Sequence, residues 1–224
     1  VGLLPGWRGG SVIESLQAEL GLPVVVENDA DAAAIGESMW GSGRENSSLL
    51  FVTVSTGIGA GYVRDRRLVR DPDGQHPEMG HHIIMSDGPA CYCGRRGCWE
   101  ALASGSAVAR HAVEARGVDP RTVGAGKLLA SDDPPSSTVR QQTARYLGMG
   151  LANLISILRP EVVALGGGVM GSWEILRDEV LETIDENTRD VPGDVIVTPA
   201  TLRPHTALIG AAAAYLRRKE PPCL

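Results

Sequence analysis

Three of the four cysteines in this 224-residue chain, Cys91, Cys93 and Cys98, fall within eight residues of one another. With His81 they form the array H-x9-C-x-C-x4-C, in which three thiolates and one imidazole can complete a tetrahedral shell. Disulfide frameworks usually spread their cysteines along the chain, and thiolate ligands disfavour Mg²⁺ and Ca²⁺. The array therefore predicts a structural zinc site that holds an irregular loop in place.

The spacing of the array leaves other interpretations open. Gly94 and Gly97 lie between the cysteines, where a tight loop needs the backbone freedom of glycine. The four residues could instead be reduced cysteines of a core beside an incidental histidine. A zinc site could also be completed by His76 or His82 in place of His81.

The composition excludes several other classes of protein. Hydrophobic residues make up 43% and charged residues 21% of the chain, as is ordinary for a soluble globular protein. No apolar run approaches the ~20 residues that span a bilayer, and no cleavable signal is visible. The net charge of −6 disfavours a nucleic-acid-binding surface in this segment. We therefore expect a cytoplasmic, mildly acidic enzyme-like body.

Apolar patterns of helices and strands alternate along the chain, which predicts an α/β layered domain. The predicted strands are Leu22–Val26, Ser48–Val54, Glu161–Leu165 and Val195–Thr198, with paired strands over Gly59–Val69. The predicted helices are Ala30–Trp40, Ser106–Glu114, Thr138–Leu158, Trp173–Thr188 and Ala207–Arg218, and one more begins at a capping box, Ser11 to Glu14, and ends at Gly21. Residues 70–100 are predicted to be irregular and residues 132–137 to form a loop.

A carboxylate and an amide stand at the junction between the first predicted strand and the next helix. Ligands of α/β sheets bind at the carboxyl ends of strands, which places Asp29 well for work on a substrate. Its carboxylate could accept a proton from a hydroxyl, and Asn28 could hydrogen-bond the same substrate. The more common use of such an aspartate is as the N-cap of a helix, and these residues alone favour the cap.

Two glycine-rich turns follow predicted strands. In Ser55–Gly61 the backbone amides and the Thr56 hydroxyl can cradle a phosphate. Gly166–Gly168 precedes a helix, which suits the close approach of a nucleotide to the backbone. Each turn alone could be an ordinary turn, but two of them in one α/β chain favour a nucleotide site. Gly126-Lys127 does not complete a Walker A pattern.

Five segments together resemble the ROK family of sugar kinases and sugar-responsive repressors, in the family's order. They are PVVVENDADAAAIGE, VTVSTGIGAGYV, HPEMGHHI, CYCGRRGCWEALASG and RPEVVALGGGV. The resemblance implies an actin-like ATPase, ribonuclease-H-like α/β fold, of which this chain holds mainly the larger lobe with an inserted zinc-binding loop. It also implies a homo-oligomer.

The resemblance implies roles for individual residues. Asp29 matches the general base, which takes the proton from the sugar hydroxyl that attacks the γ-phosphate of ATP; Mg²⁺ accompanies the nucleotide. Sugar-binding positions are matched by Asn28, Glu78, His81 and Glu100, and His81 is also a zinc ligand. Nucleotide-binding positions are matched by Thr56 and Gly57 in one turn and by Gly166, Gly167 and Gly168 in the other.

The resemblance also implies how the chain is divided. Residues 1–29 are expected to be a remnant of the smaller lobe, residues 30–203 the larger lobe with the zinc loop at 76–100, and residues 204–224 a C-terminal helix that packs on the smaller lobe. The D-x-G-G-T segment that opens the family's kinases does not occur in this sequence. We therefore expect this chain alone to be a weak or inactive kinase.

The expected reaction is the ATP-dependent phosphorylation of a hexose, glucose to glucose 6-phosphate. The alternative is the sugar-sensing domain of a repressor whose DNA-binding part lies upstream. A purely structural zinc module is a third interpretation, but it leaves Asp29 and the glycine turns without a joint purpose.

Overall fold

A five-stranded mixed sheet forms the centre of the computed structural model, which describes residues 11–117, 124–191 and 193–217. The strands are β1 (Ser48–Val54), β2 (Ile58–Arg64), β3 (Arg67–Leu68), β4 (Val162–Gly166) and β5 (Ile196–Pro199). Their order is β3-β2-β1-β4-β5. β1 pairs antiparallel with β2 and parallel with β4, and β4 pairs parallel with β5. The parallel strands end at one edge, where ligands of such sheets bind.

Helices cover both faces of this sheet. They are α1 (Val12–Leu20), α2 (Asp29–Trp40), α3 (Trp99–Ala103), α4 (Gly105–Arg116), α5 (Ala125–Leu129), α6 (Pro134–Leu158), α7 (Trp173–Thr188) and α8 (Thr206–Arg217). Short 3₁₀ turns span Met79–His81 and Gly168–Ser172. No described helix combines the length and the apolar character that crossing a bilayer requires.

The alternation of side chains along β1 assigns the helices to the two faces. Leu50 and Val52 belong to a buried cluster with side chains of α3, α4, α6 and α7. Leu49 and Phe51 point the other way and pack against the alanines of α2. Because successive residues of a strand face opposite sides of the sheet, a strand with an unbroken apolar run such as Leu49–Val52 must be covered on both faces. The structure thus confirms the α/β layered architecture.

The last helix, α8, packs on α2 at a glycine crossing. A Cβ atom on Gly210 would lie 1.9 Å from the carbonyl oxygen of Ala32, and one on Gly36 would lie 3.0 Å from the Cα atom of Gly210. The two backbones can approach this closely only because neither glycine has a side chain. Whether α8 also packs on a smaller lobe, as the sequence predicts, stays a prediction.

A buried carboxylate joins the end of α2 to the segment after β5. Glu37 has no exposed surface, and its oxygens accept hydrogen bonds from the backbone amides of Ser42, Thr201 and Leu202. The hydroxyls of Ser42 and Thr201 donate to it as well. With so many donors a buried charge is stabilised, so this residue fixes the loop that leads into α8.

Two sequence predictions of secondary structure are wrong. The segment 22–26 is not a strand: within the described ranges no strand pairs with it, and Leu22 and Val26 are 63% and 51% exposed. The predicted loop at 132–137 contains the start of α6, with Asp133 as N-cap and prolines in the first turn. Proline is tolerated there because the first amides of a helix have no intrahelical partner.

The remaining predicted elements are present with shifted ends. β1 and α7 begin and end where the sequence predicts, and α1 lies between its Ser11 cap and Gly21, which has a φ of 65°. Helices α3 and α5 were not predicted, and α3 begins in the last two residues of the region predicted to be irregular. Residues 1–10 and 218–224 of the predicted terminal segments, with Cys223, lie outside the described residues.

Candidate functional site

The predicted zinc ligands converge on one point. One donor atom from each of His81, Cys91, Cys93 and Cys98 lies within 4.8 Å of every other. The Sγ atom of Cys91 is 3.5 Å from Nδ1 of His81, and the Sγ atoms of Cys93 and Cys98 are 3.6 Å apart. A zinc tetrahedron with ordinary Zn–S and Zn–N bond lengths has edges of about 3.5–3.8 Å. This donor set therefore fits zinc, and His76 and His82 do not belong to it.

The loop that carries these ligands depends on glycine. Gly94 and Gly97 have φ angles of 89° and 70°, as their positions between the cysteines predicted. A Cβ atom on Gly97 would also lie 1.6 Å from the carbonyl oxygen of Met85. The amide of Cys91 donates to the carbonyl of Arg95 at 2.8 Å, which closes the turn between the ligands.

The thiols differ in how readily they ionise. Burial raises the pKa of the Cys98 thiol to about 12, whereas a hydrogen bond with the backbone at Arg95 lowers the pKa of Cys93. Cys98 is therefore protonated at neutral pH unless a cation stabilises its thiolate. A bound metal ion supplies that charge, so metal binding would release a proton here.

At the start of α2 the cap is Asn28 and not Asp29. The Oδ1 atom of Asn28 accepts hydrogen bonds from the amides of Ala30 and Asp31 at 2.9 and 3.1 Å. The interpretation of Asp29 as the cap is therefore wrong. Its carboxylate lies exposed at the first helical residue.

His76 connects two of the predicted sugar-binding residues. Its Nε2 atom lies 3.4 Å from Nδ2 of Asn28 and 3.4 Å from Oε1 of Glu78. The amide oxygen of Asn28 is used by the helix cap, which leaves its Nδ2 group to face this histidine and any ligand. Sequence reasoning considered His76 only as a zinc ligand.

Tyr92 lies beside the other two predicted sugar-binding residues. Its hydroxyl is 3.1 Å from Nε2 of His81. Slight burial and the nearby carboxylates of Glu100 and Glu78 raise the pKa of Tyr92 above its usual value. Its position between two cysteine ligands was the one signal in the sequence that could have singled it out.

Glu100 ties the zinc loop to the first glycine turn. It is the second residue of α3, directly after Cys98 and Trp99, and is only 9% exposed. Its Oε2 atom accepts a 2.8 Å hydrogen bond from the amide of Ile58. A Cβ atom on Gly57 would lie 2.3 Å from the same oxygen, so a side chain at that position would have to displace the Glu100 carboxylate.

The two glycine turns border adjoining clefts. A cleft of about 410 Å³ is lined by Ser55, Thr56, Gly105, Ser106, Gly126, Gly168 and their neighbours. A second cleft, of about 480 Å³, is lined by Asp29, Thr53, Gly166, Gly167, Gly168, Arg203 and others. Gly168 lines both. The structure thus brings Thr56 and Asp29 to opposite sides of one turn.

Gly167 and Gly168 differ in their surroundings. Gly167 has a φ of 89°, and a Cβ atom there would lie 2.3 Å from the carbonyl oxygen of Val54. A Cβ atom on Gly168 would meet no atom within 4 Å. The fold therefore requires glycine at position 167. At position 168 no protein atom would meet a side chain, so glycine would be needed there only to leave room for a ligand.

An unpredicted ion pair holds the segment that leads into α2. The guanidinium of Arg70 bonds Glu27 and also Asp31, the latter at 2.7 Å. Burial raises the pKa of Asp31, although Arg70 acts in the opposite direction. This cluster supports the backbone on both sides of Asn28 and Asp29.

The chain belongs to the ROK family, whose family model matches residues 4–218. Among curated proteins, the glucokinase of Streptomyces coelicolor is 34% identical over 97% of this chain and 74% of its own length. The xylose repressor of Bacillus subtilis is 28% identical over 94% of this chain and 55% of its own length. The family thus includes relatives named for catalysis and relatives named for repression.

Solved structures show the same fold. The ROK hexokinase of Thermus thermophilus superposes with a TM-score of 0.83 at 39% identity, covering 93% of this chain and 70% of that one. A ROK glucokinase of Streptomyces griseus in complex with glucose and AMPPNP superposes with a TM-score of 0.82 at 31% identity, covering 93% and 73%. The predicted actin-like fold of the family is thereby confirmed.

Proposed function

We propose that this chain provides the sugar- and nucleotide-binding part of an ATP-dependent hexose kinase that converts glucose to glucose 6-phosphate. The observation that supports this best is the position of Gly168, which lines both the Thr56 cleft and the Asp29 cleft. A nucleotide bound along the two glycine turns would present its terminal phosphate beside the Asp29 cleft.

The class of enzyme, a sugar kinase, is supported by the glucokinases and ROK kinases that match the chain over most of its length. Glucose is the sugar named for the Streptomyces relatives and the one bound in the S. griseus structure. ATP is supported by the nucleotide analogue in the same complex.

In the proposed mechanism the acceptor sugar lies among Asn28, Glu78, His81 and Glu100. Asp29 orients the acceptor hydroxyl and takes its proton as the oxygen attacks the γ-phosphorus of ATP in line, and ADP leaves. Mg²⁺, when bound with ATP, neutralises charge on the phosphates. A sugar that lacks one hydroxyl would leave a carboxylate of the site unpaired, which is a source of specificity.

Zinc has a structural role in this proposal. His81, Cys91, Cys93 and Cys98 would all be ligands, which leaves no open position for a reacting water. The ion would hold residues 76–100, with Glu78, His81 and Glu100, against the sugar. The homo-oligomeric state and the cytoplasmic location remain predictions of the sequence.

The test is an assay of ATP-dependent phosphorylation by the full-length gene product over glucose, fructose, N-acetylglucosamine, N-acetylmannosamine and xylose. Turnover of one sugar should fall about 10²–10⁴-fold in Asp29→Asn, with the Kd of that sugar nearly unchanged. Asp178→Asn, on an aspartate that is 96% exposed on α7, is the matched control and should keep full activity.

The second candidate function is that of a sugar-sensing domain in a repressor, which the match to the B. subtilis xylose repressor supports. It predicts a measurable Kd for a sugar, no turnover in the wild type, and a sugar-dependent change in DNA binding by the full-length protein. Turnover that depends on Asp29 would exclude it as the sole function.

A further inference from the structure

The Tyr92 side chain contacts His81 although most of its surface is exposed to solvent. The residue is 81% exposed, yet its hydroxyl lies 3.1 Å from Nε2 of His81. The two rings meet edge to face, with centroids 5.1 Å apart and planes at 78°. The Tyr92 ring therefore lies against the imidazole of His81 and does not point away from it into solvent.

The atom that Tyr92 contacts is the one through which a ligand would meet His81. Nδ1 of His81 faces the cysteines, at 3.5 Å from Sγ of Cys91. An imidazole has only one other polar atom, so Nε2 is the group left to bond a hydroxyl. The carboxylates nearest to the tyrosine hydroxyl include those of Glu100 and Glu78, both predicted sugar contacts.

We propose that the Tyr92 hydroxyl is an internal substitute for a sugar hydroxyl: it bonds Nε2 of His81 in the free protein, and the incoming hexose displaces it. The proposal rests on the proposed function, because it takes His81 as part of the sugar site. A side chain with so little buried surface can leave by rotation. The bond between the sugar and His81 then replaces the bond between Tyr92 and His81. The net gain from sugar binding is therefore smaller by the energy of the Tyr92 bond.

This arrangement affects different sugars to different extents. A hexose with a hydroxyl directed at His81 displaces Tyr92 and forms the replacement bond. A sugar without that hydroxyl leaves Tyr92 in place and forms no bond with Nε2 of His81. Competition at this position therefore lowers the affinity for the matching hexose by about the energy of the lost Tyr92–His81 bond, whereas a sugar without that hydroxyl is not penalised.

The test is Tyr92→Phe in the full-length, zinc-loaded protein, with Kd measured by calorimetry for glucose and each monodeoxyglucose. Since a typical hydrogen bond is removed from the free state only, the Kd and KM for glucose should fall about two- to tenfold, with kcat within about twofold of wild type. The gain should vanish for the one deoxyglucose that lacks the competing hydroxyl.

Two controls separate this effect from damage to the loop. Tyr62→Phe removes a hydroxyl that donates to the carbonyl oxygen of Leu158 at 2.9 Å, away from the predicted sugar contacts, and should leave the Kd for glucose unchanged. Zinc content and Tm of Tyr92→Phe should equal those of the wild type, because no metal ligand is altered.

Failure of this inference can be distinguished from failure of the proposed function. Weaker or unchanged glucose binding by Tyr92→Phe, in a protein whose wild type binds and phosphorylates glucose, overturns the inference and leaves the proposed function standing. If the wild type prefers another hexose of the panel, that hexose and its deoxy analogues replace glucose in the same comparison. A wild type that binds no sugar of the panel overturns both.

Discussion

The amide of Ile58 donates a 2.8 Å hydrogen bond to the carboxylate of Glu100, which links the nucleotide turn to the end of the zinc loop. Ile58 follows Thr56 and Gly57, and Glu100 follows the last cysteine ligand by two residues. One buried carboxylate thus joins the two halves of the proposed site, and in the proposed function it would make the positions of sugar and nucleotide depend on each other.

Replacing Glu100 with glutamine should therefore affect both substrates. The bond from the Ile58 amide loses the charge of its acceptor, and the KM values for sugar and ATP should both rise, with kcat/KM reduced about tenfold or more. Glu78→Gln is the matched change, on a residue that is 69% exposed, and should raise the KM for sugar alone. Initial rates with each substrate varied in turn provide the measurement. An unchanged KM for ATP in Glu100→Gln would contradict the coupling.

Substitutions at the two glycines after β4 should have different effects, one on stability and the other on nucleotide binding. Gly167→Ala places a methyl group against the carbonyl of Val54 at a positive φ, and backbone strain alone should cost about 1–3 kcal/mol of unfolding free energy. Gly168→Ala meets no protein atom, so it should raise the KM for ATP while Tm stays the same.

The control for this pair is Gly124→Ala, at an open position before α5. Thermal denaturation and the KM for ATP are measured for all three variants. If Gly168→Ala binds ATP as the wild type does, the second turn does not approach the nucleotide.

Removal of the metal should loosen the loop without unfolding the sheet. Cys93→Ser deletes one ligand, so zinc content should fall from about one ion per chain towards zero. Limited proteolysis should then cut within residues 76–100, whereas the far-ultraviolet circular dichroism changes little. Cys223→Ser, which alters the fourth cysteine of the sequence, should keep its zinc. Retained metal in Cys93→Ser would mean that the four ligands are wrongly assigned.

Acid should destabilise the fold partly through His111. This residue is 8% exposed, and burial together with the positive charge of Arg110 lowers its pKa below 6.5. A lowered pKa means that the neutral ring is favoured in the folded state. Its contribution to stability is thus present above about pH 6.5 and is lost as the pH falls through the folded-state pKa.

His111→Gln should remove that contribution. Urea unfolding at pH 7.5 and at lower pH should show a smaller loss of unfolding free energy in the variant than in the wild type. Some dependence should persist because burial also lowers the pKa of His82. Equal losses in both proteins would show that folding does not lower the pKa of His111.

The cluster of His81 with three cysteines could be predicted from the sequence because the cysteines are close together in the chain. Three cysteines within eight residues leave few arrangements other than a shared centre, and the glycines between them indicate a tight loop. The helix ends at Ser11 and Gly21 likewise follow from local capping chemistry.

Contacts between distant segments could not be predicted in this way. Residues 22–26 have the composition of a buried strand, but strand formation needs a neighbour, and the sequence does not specify whether one is present. The roles of His76 and Tyr92 depend on side chains brought together from segments separated by 48 and 11 positions. The five residues of α5 are too few for periodicity to be recognised.

The glycine crossing of α2 and α8 has a consequence for the placement of the proposed base. Asp29 begins α2, Gly36 meets Gly210 near the middle of that helix, and Glu37 fixes its far end to the loop before α8. The Asp29 carboxylate thus lies at one end of a helix whose middle and far end are held by contacts with α8 and the loop before it. A tilt of α8, however distant its cause, would therefore change the orientation of the Asp29 carboxylate relative to the hydroxyl on which it is proposed to act.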